Sequence, residues 1–198
     1  MKPSLAVAPL LLALSLPALA ATAGQQAPNF TLNDGRGRPV QLSDFKGKYV
    51  VLEWTNPACP FVNNHYNTHN MQALQSEWTA KDVVWLSIDS TNRSSFSFVQ
   101  PAKLGEWMKT RGAAQSAVLV DADSATAKLY QAKTTPHMFV IDPQGKIVYA
   151  GAIDDRPSTR AEDPPKAKNY VRAALTQAKA GMPVATAATT PYGCSIDY

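Results

Sequence analysis

The chain has 198 residues, of which 45% are hydrophobic, 17% charged and 9% aromatic. This composition excludes a disordered or fibrous protein and suits one globular domain. The formal net charge is +4, from 19 lysines and arginines against 15 acidic residues. Because the positive charges are spread along the chain without a basic run, we expect no nucleic-acid partner.

The N-terminal residues 1–20 have the pattern of a secretory signal peptide. After a lysine, residues 5–16 are almost wholly apolar, and small residues precede a cleavage point after Ala20. A membrane-spanning helix needs about 20 apolar residues, whereas this run is shorter and is interrupted by Pro9 and Pro17. We therefore expect an exported protein, periplasmic or secreted, with no membrane span after cleavage.

Strand and helix patterns alternate through the rest of the chain. A small, polar leader at residues 21–28 precedes a predicted hairpin around residues 33–37 and a helical turn at residues 43–47. The predicted strands that follow are residues 49–54, 82–88 and 117–120, with a final hairpin of residues 137–141 and 146–150. The predicted helices are residues 60–79, 94–110 (broken or late to start at Pro101), 124–130 and 166–180.

This alternation predicts one α/β domain at residues 29–181, with a parallel sheet and an antiparallel edge supplied by the final hairpin. The tail of residues 182–198 shows no periodicity and carries Cys194. The last helix carries the chain ~22 Å, and the 13 residues from Gly181 to Cys194 reach ~43–47 Å when extended. The tail is therefore long enough to return to the start of that helix, although a frayed tail with a free cysteine is the alternative.

Cys59 and Cys194 are the two cysteines of the chain. In an oxidising compartment, two cysteines either pair with each other or one of them is kept for chemistry. Cys59 follows the first buried strand and precedes Pro60, a residue favoured at the first position of a helix. At a helix N-cap, free backbone N–H groups and the helix dipole lower the pKa of a thiol. We therefore predict that Cys59 is a reactive nucleophile rather than an inert core residue.

The segment from Glu53 to Val62 (EWTNPACPFV), followed by Thr135-Pro136, resembles the active site of thioredoxin-fold proteins. With the tail motif Pro191-Tyr-Gly-Cys194, it is similar to exported members of the redoxin (alkyl-hydroperoxide reductase/thiol-specific antioxidant) family over residues 27–198. The resemblance implies a thioredoxin-like fold with an N-terminal β-hairpin, an inserted αβ unit at residues 94–120 and a central mixed sheet flanked by helices. It also implies a cis-proline loop at Thr135-Pro136 that faces Cys59.

The sequence departs from both standard active sites of this resemblance. Position 62 is Val where thioredoxins carry their second cysteine, and Asn56 and Leu52 stand where typical peroxiredoxins carry a hydroxyl residue and a proline. The implied function is that of a thiol–disulfide oxidoreductase with Cys59 as nucleophile and Cys194 as possible resolving thiol. A thiol-dependent peroxidase is the alternative. The implied partners are protein thiols and disulfides or a peroxide, with an unidentified thiol as electron donor.

Further residues have predicted roles around Cys59. Glu53 occupies the position of the buried acid that exchanges protons with thiols in thioredoxins, although a Glu at the solvent end of the strand or paired with a lysine is equally compatible with the pattern. The residues predicted to shape the substrate surface are Trp54, Pro60, Thr135 and Pro136, with Trp54 flanking the thiol.

The histidines suggest a metal-binding alternative of a different class. His65 and His69 are four residues apart and would share one face of the predicted helix, where a plain surface pair is the simpler interpretation. His137 follows the Thr-Pro pair, so a non-catalytic copper site built from Cys59, His137 and Cys194 is the rival hypothesis. No Gly-rich phosphate loop follows a strand, so we expect no organic cofactor.

Overall fold

The structure is a computed structural model that describes residues 21–198, so the predicted signal peptide lies outside the described residues. The strands are β1 (Thr31–Asp34), β2 (Pro39–Gln41), β3 (Val50–Trp54), β4 (Val84–Asp89), β5 (Ala117–Val120), β6 (Thr134–Thr135), β7 (His137–Ile141), β8 (Ile147–Gly151) and β9 (Cys194–Ser195). The α-helices are α1 (Pro60–Asn67), α2 (Asn70–Thr79), α3 (Pro101–Thr110), α4 (Ala125–Tyr130) and α5 (Tyr170–Lys179), and short 3-10 helices lie at Leu42–Phe45 and Pro164–Lys166.

Seven strands of the described chain form one sheet in the order β2-β1-β5-β4-β3-β7-β8. The central strands β3, β4 and β5 are parallel, whereas β7 and β8 add antiparallel pairs at one edge. The N-terminal hairpin also joins the sheet, because β1 pairs antiparallel with β5. The α/β class with a central mixed sheet is confirmed. Both edges are antiparallel, where the sequence pattern indicated one such edge.

The sheet separates two hydrophobic clusters. Val51 and the buried residues of α1, α2, α3 and α5 lie on one face, and Cys59 belongs to that cluster. Leu52 and Trp54 lie on the other face with α4 and the N-terminal segment. Since side chains alternate along a strand and β3 is buried on both faces, its sequence is a continuous apolar run with one acid.

The predicted helix of residues 60–79 is two helices. The break falls at Thr68 and at His69, which has a left-handed backbone with a φ of 58°. His65 is buried in α1 and His69 is exposed at the start of α2, so the predicted face shared by the two histidines is wrong. The apolar spacing resumes after the break, and for this reason the pattern did not show it.

The starts of two other helices are set by single residues. Pro101 is the first residue of α3, which confirms the late start predicted there. Helix α5 begins at Tyr170 because the side chain of Asn169 caps it, accepting a 2.8 Å hydrogen bond from the backbone N–H of Arg172.

The tail is an integral part of the fold. The backbone of Ala150 in β8 donates to Ala187 at 3.0 Å and accepts from Thr189 at 3.1 Å. Further along, β9 pairs antiparallel with β6. The aperiodic tail thus contains a strand that the sequence pattern did not indicate, because the strand is two residues long and its partner is distant in sequence. Within residues 21–198, no helix is both long enough and apolar enough to cross a bilayer.

Candidate active site

Cys59 is the N-cap residue of α1, and Pro60 is the first residue of the helix. The loop before it is held by two amides: the backbone N–H of Cys59 donates to the Asn56 carbonyl at 3.0 Å, and Nδ2 of Asn63 donates to the Cys59 carbonyl at 3.0 Å. Cys59 is only 2% exposed, whereas Pro60 is exposed beside it. The predicted N-cap position is confirmed, and it places Cys59 at the end of the helix where the first N–H groups have no partners within the helix.

Asn56 ties the cysteine loop to the segment that follows β4. Its Oδ1 accepts from the Ala58 backbone N–H at 2.6 Å, and its Nδ2 donates to Thr91 Oγ1 at 2.5 Å and to the Ser97 carbonyl at 3.1 Å. The residue that replaces the hydroxyl group of typical peroxiredoxins therefore organises the loop. This role was not predicted from the sequence, where the available signal was the Asn-Pro pair, which is typical of turns.

Cys59 and Cys194 form a disulfide that joins positions 135 residues apart, with a Cα–Cα distance of 5.8 Å. Cys194 reaches the site as part of β9, where its backbone lies opposite Thr135. The pairing that the sequence left open is present, and the alternative of a free Cys194 is wrong for this structure.

Thr135 and Pro136 lie directly against Cys59. Their peptide bond is cis, as predicted, and the Thr135 carbonyl oxygen is 3.1 Å from the Cys59 sulfur. A disulfide sulfur carries no hydrogen, so this is a contact in the oxidised site. In the reduced site, the thiol can donate a hydrogen bond to the same carbonyl. Both residues are buried beneath the tail.

A cavity of about 540 Å³ opens beside the disulfide. Its lining includes both cysteines, Asn56, Thr91 and Phe96, and the side chain of Phe96 is fully exposed. The tail residues Ser195, Ile196 and Asp197 form part of the cavity wall, so an opening of the tail would widen the approach to the sulfur pair.

Glu53 is fully buried on the face of the sheet that holds Cys59. Its carboxylate accepts four hydrogen bonds, from Tyr66 at 3.0 Å, Gln75 at 3.1 Å, Trp85 at 2.7 Å and Ser87 at 2.9 Å. Burial raises the pKa of the carboxyl, although these four donors oppose the shift. Glu53 is therefore neither at the solvent end of its strand nor paired with a lysine. Its hydrogen bonds within residues 21–198 do not include Cys59.

Trp54 and His137 lie on the opposite face of the sheet from the disulfide. They are paired across β3 and β7, and both rings pack near Phe139, at centroid distances of 5.4 Å and 4.6 Å. The Trp54 indole donates to Ser90 at 3.0 Å and is fully buried. The structure thus places Trp54 in the core, away from the thiol that it was expected to flank.

The rival copper site is not assembled. The two cysteine sulfurs are bonded to each other, and the His137 ring is on the other face, where its Nδ1 accepts from the Lys133 backbone at 3.1 Å. Burial lowers the pKa of His137 to about 4. In the described part of the chain, no cluster of three or more His, Cys, Asp or Glu side chains is arranged to hold a metal ion.

An N-cap cysteine facing a cis-proline loop, at the end of a mixed sheet flanked by helices, defines a thioredoxin-like protein. Within that class, the AhpC/TSA family model matches residues 23–150. The chain belongs to the AhpC/TSA family.

The chain is also similar to several proteins of known sequence or structure. Thiol-disulfide oxidoreductase ResA of Bacillus subtilis is 28% identical over 132 residues, which are 63% of this chain and 64% of ResA. An uncharacterized conserved protein from Geobacillus kaustophilus has 29% identity and a TM-score of 0.77 over 90% of this chain and 93% of its own. A hypothetical protein from Sinorhizobium meliloti has 25% identity and the same TM-score of 0.77 over 91% and 96% of the two chains.

Proposed function

We propose that the protein is an exported thiol–disulfide oxidoreductase whose redox centre is the pair Cys59 and Cys194. The observation that carries this proposal is the disulfide between an N-cap cysteine and a tail cysteine, packed against a cis-proline loop. The similarity to thiol-disulfide oxidoreductase ResA supports the same reaction class.

The reaction proceeds through two exchanges. The Cys59 thiolate attacks one sulfur of a substrate disulfide, forms a mixed disulfide and releases the other sulfur as a thiolate. The Cys194 thiolate then attacks the Cys59 sulfur, forms the internal disulfide and releases the second substrate thiolate. The substrate gains two electrons and the protein loses two. The reverse sequence oxidises a dithiol, and a thiol donor or a disulfide acceptor closes the cycle in either direction.

The surroundings of the two cysteines favour Cys59 as the nucleophile and Cys194 as the resolving thiol. Cys59 lies at a helix N-terminus, where N–H groups stabilise a thiolate. Cys194 lies in a two-residue strand without a helix behind it. The stabilised thiolate of Cys59 is also the better leaving group when the internal disulfide is opened by attack on Cys194.

In this proposal the substrate-binding surface is the one that the tail covers. Thr135 and Pro136 are buried beneath β9 in the oxidised protein, and Pro60 is exposed at their side. A substrate peptide that reaches Cys59 takes the place of the tail against Thr135. Glu53 acts at a distance: in its ionised form, its buried charge on the same face of the sheet opposes the second negative charge of a Cys59 thiolate.

Export is proposed from the signal-peptide pattern of residues 1–20. A disulfide between two distant cysteines is typical of proteins outside the cytoplasm. N-terminal sequencing of the protein recovered from a bacterial host is expected to begin at Ala21 in the extracytoplasmic fraction. Recovery of the uncleaved chain in the cytoplasm would contradict export.

Disulfide exchange with a peptide tests the function. The reduced protein is mixed with a peptide that contains one disulfide, and the products are separated by mass after acid quenching. The wild type should release reduced peptide and gain the Cys59–Cys194 disulfide, Cys194→Ser should accumulate a mixed disulfide at Cys59, and Cys59→Ser should do neither. Equal behaviour of all three proteins would refute the proposal. Consumption of hydrogen peroxide that depends on Cys59 and outpaces peptide exchange would favour the peroxidase alternative.

A further inference from the structure

One hydroxyl group in the tail joins three segments of the fold. Tyr192 lies two residues before Cys194, and its hydroxyl donates a 2.6 Å hydrogen bond to Oδ1 of Asp154, in the loop after β8. The same hydroxyl is 3.1 Å from Nε2 of His65 in α1. His65 and Asp154 are only 1% and 2% exposed. Tyr192 thus links the helix that begins at Cys59 to the tail that carries Cys194.

Each hydrogen bond of this network is donated in the same order, from Asn70 to His65, from His65 to Tyr192 and from Tyr192 to Asp154. The side-chain amide of Asn70 lies 2.8 Å from Nδ1 of His65, and an amide N–H there requires Nδ1 to accept. Burial lowers the pKa of His65 to about 4, so at neutral pH the ring has a single N–H, on Nε2. Tyr192 then accepts from His65 and donates its own proton to Asp154, so the hydroxyl is used as both donor and acceptor.

Opening the tail would leave buried polar groups without partners. The Oδ2 atom of Asp154 has no hydrogen-bond partner within the described residues. Besides Tyr192, its Oδ1 accepts from the backbone N–H of Arg156 at 3.0 Å. Without Tyr192, the carboxyl keeps that single bond and the Nε2 of His65 keeps none. Because unpaired buried polar groups are costly, this network favours the closed tail whether or not the disulfide is formed.

The ring of Tyr192 makes a separate, apolar contact. It packs edge-on against Phe61 with a centroid distance of 5.8 Å. Phe61 and His65 are one helical turn apart on α1, so the ring covers the face of the helix just beyond Cys59. Replacing Tyr192 by Phe therefore removes the hydroxyl and keeps the packing.

We propose that Tyr192 is a positioning residue that keeps the tail closed over Cys59 while the two cysteines are reduced. The inference rests on the proposed function, in which Cys194 must stay close to resolve a mixed disulfide. A tail held in place raises the effective concentration of the Cys194 thiol at Cys59. It also shields Cys59, which is 2% exposed when the tail is closed.

The alkylation rate of Cys59 measures closure directly. In a Cys194→Ser background no internal disulfide can form, and iodoacetamide reaches Cys59 when the tail opens. Adding Tyr192→Phe should raise the rate about 10-fold, the effect of losing a hydrogen bond to a charged group. The matched control is Tyr49→Phe, which also loses a tyrosine hydrogen bond, to the Ala178 carbonyl at 2.8 Å. It should leave the rate unchanged. A Tyr192→Phe rate within two-fold of its parent would overturn the proposal.

A second pair of variants separates the network from general loss of stability. Asp154→Asn keeps an acceptor oxygen for Tyr192 and should stay close to the parent, whereas Asp154→Ala should open the tail as Tyr192→Phe does. Equal alkylation rates of Cys59 in Asp154→Asn and Asp154→Ala would contradict the inference. With both cysteines present, Tyr192→Phe should also make the disulfide easier to reduce in glutathione buffers.

Alkylation needs no turnover, so the two proposals fail separately. If peptide exchange is absent while Tyr192→Phe still exposes Cys59, the proposed function is wrong and the role of Tyr192 in closing the tail stands. If exchange is present and alkylation is unchanged, the reverse holds.

Discussion

Gly193 passes so close to Thr135 that a Cβ atom built on the glycine would overlap the Thr135 carbonyl group. Its φ is +135°, in a region of backbone conformation that favours glycine. The carbonyl that Gly193 crowds is the one that contacts the Cys59 sulfur. The close approach of these two backbones is therefore what lets the next residue, Cys194, reach its partner.

Substituting Gly193 by Ala should weaken the internal disulfide. The added methyl group forces the tail away from Thr135, and backbone strain of this kind costs about 1–3 kcal/mol. The equilibrium between the disulfide and glutathione, followed by alkylation and mass spectrometry, should shift toward the reduced protein by a matching factor. The control is Gly105→Ala in α3, where a Cβ meets no atom within 4 Å and alanine favours the helix. An unchanged equilibrium for Gly193→Ala would contradict the proposed close fit.

Cys59 should have a lower thiol pKa than Cys194. Only Cys59 is placed at a helix N-terminus, where the dipole and free N–H groups stabilise its thiolate. The variants Cys194→Ser and Cys59→Ser each leave one thiol, and the pH midpoint of its alkylation gives the pKa independently of how shielded it is. A lower midpoint for Cys194, or equal midpoints, would contradict the assignment of Cys59 as the nucleophile.

Glu53 should make the stability of the protein fall as the pH rises. Burial raises the pKa of its carboxyl above the ordinary value of 4.5. Its contribution to stability is therefore fully present below pH 4.5 and is lost as the pH rises through the folded-state pKa. The side chain of Glu53→Gln does not titrate. As the pH rises, the free energy of unfolding of this variant should therefore increase relative to that of the wild type, by about 1.4 kcal/mol for each unit between the folded-state and unfolded-state pKa of Glu53. Denaturant unfolding at several pH values measures the gain.

The Gln side chain can be accommodated in the site of Glu53. Three of the four donors face one carboxylate oxygen, and the fourth is the Tyr66 hydroxyl, which can rotate to accept from the new amide. The matched control is Glu77→Gln. Although partial burial raises the pKa of Glu77, Arg172 and Lys81 outweigh it and the net shift is downward, so the dependence on pH should have the opposite sign. If the stability differences of both variants from the wild type changed with pH in the same direction, the raised pKa assigned to Glu53 would be contradicted.

Reducing the disulfide should destabilise the whole fold. The bond closes a loop of 135 residues, and the chain-entropy argument gives up to about 5 kcal/mol for loops of this length. Denaturant unfolding with and without a thiol reductant should show a difference of a few kcal/mol. Cys194→Ser, which cannot form the bond, should behave the same under both conditions. A wild type with equal stability in both states would show that the tail contributes nothing through its covalent link.

Local sequence signals were sufficient to predict the strands whose ends are marked by neighbouring turn residues. β5 and β7 fall where residues 117–120 and 137–141 predicted them, since their apolar runs are bounded by clear turn residues. The cis bond before Pro136 was predicted through the family resemblance and is confirmed. Sequence could not show which face a strand residue takes when both faces are buried, and so Trp54 was placed beside the thiol.

The missed parts of the site depend on contacts between distant segments. Tyr192 is one residue in an aperiodic tail, and its partners His65 and Asp154 are 127 and 38 residues away. A hydrogen-bond network of this kind leaves no spacing pattern to read. The available hint was a tyrosine two residues from the second cysteine.

The position of the two cysteines along the chain imposes an order on how the site can be completed. A polypeptide made from its N-terminus contains Cys59 long before Cys194, which follows 135 residues later. Until residue 194 has been added, Cys59 has no second cysteine to pair with in its own chain, and Thr135 lacks the strand that covers it. A product that stops short of the tail therefore lacks both the disulfide partner of Cys59 and the strand that covers Thr135, and the covered, oxidised site marks a molecule whose synthesis has reached β9.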